Sequence, residues 1–167
     1  VLAAIAARGT EIVTIALDVT DTEAMDALIA AHAKSDKPLK GIVHGAAVIQ
    51  DGFVSQLDEG QISRVIRPKA GGAWSLHRAV TRHGADLDFF VSFSSLAQVI
   101  GSPGQANYTA ANSVLNGMGS FRKSRGLAGS AAAWGSIAGS GFVARSEALG
   151  NYLESIGMKP VPDTEAA

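Results

Sequence analysis

The chain contains no cysteine, which excludes disulfides and thiolate-bound metal and fits a reducing, cytoplasmic setting. It has almost no net charge: 14 Lys and Arg stand against 15 Asp and Glu, giving -1. Nucleic-acid binding calls for a basic surplus, and a solvated tail for a run of like charge; the sequence has neither. No apolar run approaches the roughly 18 residues that cross a bilayer, so no membrane association is expected. The opening VLAAIAARG is short and has no basic leader, unlike a signal peptide. The first residue is Val rather than Met, and the chain reads as a piece of a longer polypeptide. Four histidines stand at positions 32, 44, 77 and 83. None has short metal-ligand spacing, so they read as ordinary polar residues and no metal site is expected.

What is present suits one packed domain: 167 residues, of which 47% are hydrophobic, enough for a single core and too few for two. Residues 1–8 read as a helix end closed by Gly9. EIVTIAL, 11–17, reads as a strand, and Asp18 ends it. Asp21 or Thr22 can cap a helix over about 22–33, with Ala24, Met25, Leu28 and Ile29 at helical spacing. LKGIVHGA, 39–46, reads as a buried strand. A long helical stretch follows from about Asp58 to His83, with Trp74 assigned to the core. DFFVSFS, 88–94, is a further strand. A loop bearing GSPGQ, 101–105, leads to a helix over about 106–125. SAAAW, 130–134, is a weaker strand, and one more helix lies near 145–156 before a proline-bearing exit. Strands alternating with helices predict an α/β fold with a parallel sheet covered by helices on both faces. Such folds bind ligands beyond the carboxyl ends of their strands, which draws attention to Asp18, to His44 through Ala47, and to Ser94 and Ser95.

The most informative stretch is FVSFSSLAQVIGSPGQANYTAAN, 90–112. Ser95 ends a strand, Tyr108 lies 13 positions on at a helix start, and Asn112 lies four further along the same helix face. A phenol beside a serine hydroxyl can protonate a carbonyl oxygen as it becomes an alkoxide. A phenol alone holds its proton too tightly for this near neutral pH, and a neighbouring cation favours the phenolate. Lys69, in RPKAGGAW, is the nominated cation, because Lys123 lies several turns from Tyr108. Taken singly, each residue has a plainer reading: Tyr108 a half-buried core residue, Ser95 a turn serine, Lys69 a solvated surface lysine, Asn112 an unremarkable helix residue, and Asp18 a strand end.

Together the motifs resemble the ketoreductase domains of type I modular polyketide synthases, a branch of the short-chain dehydrogenase/reductase superfamily. LDVTD (17–21), GIVHGAAVIQDG (41–52), IRPKAGGAWSLH (66–77), the 90–112 block and AAWGSIAGSG (132–141) follow that pattern in order. Ordinary short-chain dehydrogenases place lysine four residues after the tyrosine. Here Asn112 stands there and the lysine lies upstream at 69, as in the polyketide branch.

The resemblance implies a Rossmann-like doubly wound parallel sheet that is incomplete, with the first two strands and the glycine-rich turn absent. Residues 1–157 would then be a partial ketoreductase domain and 158–167 a C-terminal linker. In the family's strand order 3-2-1-4-5-6, residues 11–17 and 39–46 become strands 3 and 4, with a gap where two strands belong. Strand 3 is then left without a partner, and strand 4 becomes an apolar edge. For the site, the resemblance implies that Tyr108 donates the proton and Ser95 orients the carbonyl. Lys69 and Asn112 hold the proton relay and the cofactor ribose. Asp18 and Val19 meet the adenine, His44, Gly45, Ala46 and Ala47 line the ribose side, and Trp134 and Gly135 lie near the nicotinamide. It implies NADPH as cofactor and, as partners, an acyl carrier protein bearing a β-ketoacyl chain and other domains of the same synthase. Two other functions stay open: a non-catalytic structural or docking segment of a synthase, and a free-standing short-chain dehydrogenase.

Overall fold

A computed structural model describes residues 2–138, 147–155 and 157–162. The elements run α1 (Leu2–Ala6), α2 (Thr22–Ala33), β1 (Gly41–His44), a 3-10 turn (Val54–Gln56), α3 (Glu59–Ile66), a π turn (Arg67–Gly71), α4 (Gly72–Arg82), β2 (Phe89–Ser95), α5 (Ala97–Ile100), α6 (Ala106–Ser124), β3 (Ser130–Trp134), β4 (Ile137–Ala138), α7 (Glu147–Ser155) and β5 (Val161–Pro162). The fold is Rossmann-like α/β. Strands β1, β2 and β3 pair in parallel in that order, with Ile42 opposite Phe90 and Ser95 opposite Trp134. Each crossover carries a helix, as parallel strands require. Strand β5 pairs in parallel with β4 in a separate two-stranded sheet. The expected motif residues 139–141, the start of the last expected helix at 145–146, and 163–167 lie outside the described residues.

Period-2 alternation in β1 and β2 decides which side chains meet the helices. Ile42, His44, Phe90, Ser92 and Ser94 are buried, whereas Val43, Phe89 and Phe93 are exposed. The core sits on the buried side, where Met25 and Ile29 of α2 and Leu76, Ala79 and Val80 of α4 pack with Ile42 and Phe90. Helix α6 joins the same side: the Arg122 guanidinium lies 4.3 Å from the Phe90 ring centroid, and Ser94 Oγ donates to Asn112 O. A doubly wound sheet carries a second helical layer on its other face. Among the described residues that face is open around Val43, Phe89 and Phe93.

Two helix starts follow from their letters. Asp21 caps α2 by accepting from the Ala24 amide. Asp58 and Gln61 form a reciprocal capping box at α3.

Three expectations need correction. Residues 11–17 form no strand: among the described residues no ladder partner reaches their backbone, and Ile12, Val13, Ile15 and Leu17 are exposed. Trp74 is not core but 47% exposed, resting against His77 and Phe121 with ring centroids at 5.3 and 6.0 Å. The histidines are not all ordinary polar residues, because His44 and His77 are buried and bonded to Lys69 O and Arg122 Nη1.

The stretch expected as one helix over 58–83 is helical throughout, but its middle is a π turn. Pro68 has no N–H to donate, so the regular ladder is interrupted there. The Gly72 amide instead reaches Arg67 O and Lys69 O. Single π turns of this kind are common where a helix carries a functional side chain, and this one carries Lys69.

Candidate active site

Lys69 is 3% exposed. Its Nζ donates to Phe93 O at 2.9 Å and to Asn112 Oδ1 at 3.0 Å. An ammonium has three hydrogens, so one remains. The same nitrogen lies 5.3 Å from the Tyr108 ring centroid. Burial pushes the Lys69 pKa down to about 8. Asn112 is fully buried and its Nδ2 donates to Tyr108 O at 2.9 Å, one turn back along α6. The structure thus brings Lys69 of the π turn to Asn112 and Tyr108 of α6, against the Phe93 carbonyl of β2.

Ser95 ends β2. Its Oγ accepts the Ala97 amide at 3.2 Å, which leaves the hydroxyl hydrogen to point elsewhere. His44 ends β1, and its Nε2 donates to Lys69 O at 2.9 Å. Burial lowers the His44 pKa and the Lys69 charge lowers it further, against the opposing effect of that bond. A neutral imidazole therefore holds the peptide that carries Lys69.

The cofactor-side residues fall into three places. Asp18, Val19, Ala46 and Ala47 line one cleft of about 730 Å³, together with Arg64 and Arg67. The Thr20 amide holds the Asp18 carboxyl below its ordinary pKa. His44 and Gly45 stand just before this cleft at the end of β1, and a side chain at Gly45 would meet the Phe93 ring. Trp134 ends β3 and Gly135 follows it, and neither lines that cleft. The Trp134 ring packs edge-on against Phe93 at 5.8 Å, and its buried indole nitrogen has no hydrogen-bond partner among the described residues. The cleft fits the adenosine end of a dinucleotide: small residues leave room, and Asp18 offers an acceptor carboxylate. The described residues contain no glycine-rich strand-to-helix turn for the pyrophosphate. Among the described residues no group of three or more His, Cys, Asp or Glu stands together for a metal. No helix there is long and apolar enough to cross a membrane.

Sequence reasoning missed the partners that are backbone atoms. Phe93 O and Lys69 O have no letter of their own. Pro68 inside a helical pattern was the available signal for the π turn.

A parallel sheet with a lysine, asparagine and tyrosine gathered against the last residues of β2 has the arrangement of the short-chain dehydrogenase/reductase class. Within it, the KR-domain family model matches residues 1–139, and the chain belongs to the ketoreductase domains of polyketide synthases. Its relatives include the phenolphthiocerol synthesis polyketide synthase type I Pks15/1 of Mycobacterium marinum, 42% identical over 127 residues, covering 76% of this chain and 6% of that protein. Among solved structures, A-type ketoreductases from a modular polyketide synthase match with a TM-score of 0.89 at 35% identity, covering 98% of this chain and 34% of theirs. The ketoreductase from the first module of phoslactomycin biosynthesis in Streptomyces sp. HK803 matches with a TM-score of 0.88 at 32% identity, covering 99% and 37%. The chain thus spans less than a tenth of that curated relative and about a third of those solved chains.

Proposed function

We propose that these residues are the catalytic part of a domain that reduces a β-ketoacyl thioester, carried on an acyl carrier protein, to the β-hydroxyacyl thioester, with NADPH as cofactor. The observation that carries this reading is the buried Lys69 ammonium beside the Tyr108 ring, fixed by Asn112 and Phe93 O. NADPH, when bound, supplies the hydride. Asp18, Val19, His44, Gly45, Ala46 and Ala47 would hold its adenosine and ribose side, and Trp134 and Gly135 would border its nicotinamide.

The chain's own residues handle the proton. Ser95 Oγ, with its hydrogen free, donates to the ketone oxygen and fixes its direction. Tyr108 Oη gives its proton to that oxygen as negative charge builds there. The phenolate left behind is steadied by Lys69, whose third hydrogen is available for it. Asn112 keeps the amine in place by accepting one of the other two. The acyl carrier protein and the neighbouring synthase domains are the partners this reaction calls for.

The test is Tyr108→Phe in the ketoreductase domain that contains these residues, following NADPH consumption with a β-ketothioester surrogate. Removing a proton donor should lower kcat on the order of 100-fold or more and leave the NADPH Kd within about two-fold. A Phe variant that retains its rate refutes the assigned donor.

A further inference from the structure

The loop after β1 is tied to the start of α6 by three adjacent connections. The Gly52 amide donates to Gly104 O at 2.7 Å. Gln105 Nε2 donates to both carboxylate oxygens of Asp51, at 3.0 and 3.1 Å. Asn107 Nδ2 donates to Gln50 O at 2.9 Å, while Asn107 Oδ1 accepts the Tyr108 amide at 2.8 Å. Asn107 is only 4% exposed, although it stands in the first turn of a helix.

The Tyr108 amide is one of the orphan donors at a helix N-terminus, and Gln105, at the cap position, gives α6 no side-chain cap. Asn107 takes that amide, and Asn112 Nδ2 takes the Tyr108 carbonyl. The peptide groups on both sides of the Tyr108 Cα are therefore held by asparagine side chains. One is anchored to Lys69 through its own Oδ1 and the other to the Gln50 carbonyl. From a fixed Cα only two side-chain torsions remain to aim the phenol.

We infer that Asn107 is a positioning residue for the Tyr108 phenol, acting by pinning the Tyr108 peptide to the loop at Gln50. The inference rests on the reading of Tyr108 as proton donor. A cap that served folding alone would touch stability and leave chemistry unchanged. A positioning residue lowers kcat through Tyr108 and through nothing else.

The experiment uses the ketoreductase domain containing these residues, with NADPH and a β-ketothioester surrogate. It compares Asn107→Ala, Asn107→Asp, Tyr108→Phe and the Asn107→Ala/Tyr108→Phe double variant. Asp keeps the size and the acceptor for the Tyr108 amide but cannot donate to Gln50 O. Both Asn107 variants should lose kcat by about 10- to 100-fold, the scale of a misplacement near 1 Å. KM should change by less than about three-fold, and the NADPH Kd, read by fluorescence, by less than about two-fold. The double variant should be no slower than Tyr108→Phe, because the same step is already lost. An Asn107→Ala rate within about two-fold of the parent, beside an inactive Tyr108→Phe, overturns this inference alone. Losses that multiply in the double variant do the same. A Tyr108→Phe variant at full rate overturns the proton-donor reading and this inference with it. Failure of both Asn107 variants to fold assigns the residue to folding and overturns the positioning role.

Discussion

Lys69 is a charge in a place that disfavours charge. Water is excluded from its amine, two of its three hydrogens go to oxygens, and its pKa falls to about 8. The same burial that makes the ammonium effective beside a forming phenolate therefore makes it easy to discharge. Reduction should weaken as pH rises through about 8, where the cation disappears. Stability runs the other way. The unfolded chain keeps the lysine proton to its ordinary pKa, so between that value and about 8 the unfolded state binds more protons, and the Lys69 contribution to stability rises with pH. A kcat profile measured from about pH 6 to pH 10 should show a basic limb near 8. Lys69→Arg, whose charge persists above about pH 12, should be slower and lack that limb. A limb unmoved in the arginine variant would show that another group titrates. At this scale the sequence was informative about side chains and blind to peptides. Asn112 four residues after Tyr108 could be placed on one helix face from spacing alone, and Lys69 could be nominated as the cation and then matched by the resemblance. The Phe93, Lys69 and Gln50 carbonyls that hold the site are the same atom in every residue, so no letter marks them.

The element that matters most is the π turn between α3 and α4. Pro68 opens the helical ladder, the Gly72 amide is shared between Arg67 O and Lys69 O, and the His44 imidazole takes the Lys69 carbonyl from the side. Gly72 is where this turn meets its neighbours. A Cβ there would lie 2.9 Å from Val19 Cγ2 and 3.0 Å from His44 Cε1, closer than packed carbons approach. In an exposed helix Gly→Ala gains up to about 1 kcal/mol. Crowding a packed site costs about 1–3 kcal/mol, so the clash should win. Gly72→Ala in the ketoreductase domain should therefore lower Tm by several degrees, and it should lower kcat as well, because the displaced His44 no longer sets the Lys69 peptide. Thermal melts beside steady-state rates check both, and an unchanged or raised Tm would remove Gly72 from the account. Helix boundaries here were legible because caps and periodicity are local: Asp21 and Asp58 announce their helices. The short α5 and the pairing of β4 with β5 were not, because four- and two-residue elements give no period to count and depend on contacts distant in sequence.

At the scale of the whole chain, the strand pattern of residues 11–17 was real as composition and did not become a strand, because a strand is defined by its neighbour. Seven residues rich in β-branched side chains have no ladder among the described residues, leaving Val13 72% and Ile15 51% exposed. Among the described residues strand β1 pairs on one side only, and its outward Val43 is 56% exposed. Phe89 and Phe93 add aromatic surface on the same open face. Unpaired amides and carbonyls next to apolar side chains are a template for intermolecular strand pairing, and contiguous apolar patches of this kind mark surfaces that need a cover. The 167-residue polypeptide, produced by itself, should run as large species in size exclusion and bind a dye for exposed apolar surface. Val13→Lys and Val43→Lys should raise the monomeric fraction, since a charge on the segment without a ladder and on the edge strand β1 opposes edge-to-edge contact without touching the buried face around Phe90. A monomeric, dye-silent polypeptide with a single sharp melt would show instead that helices α2, α4 and α6 close the core without help from the open face.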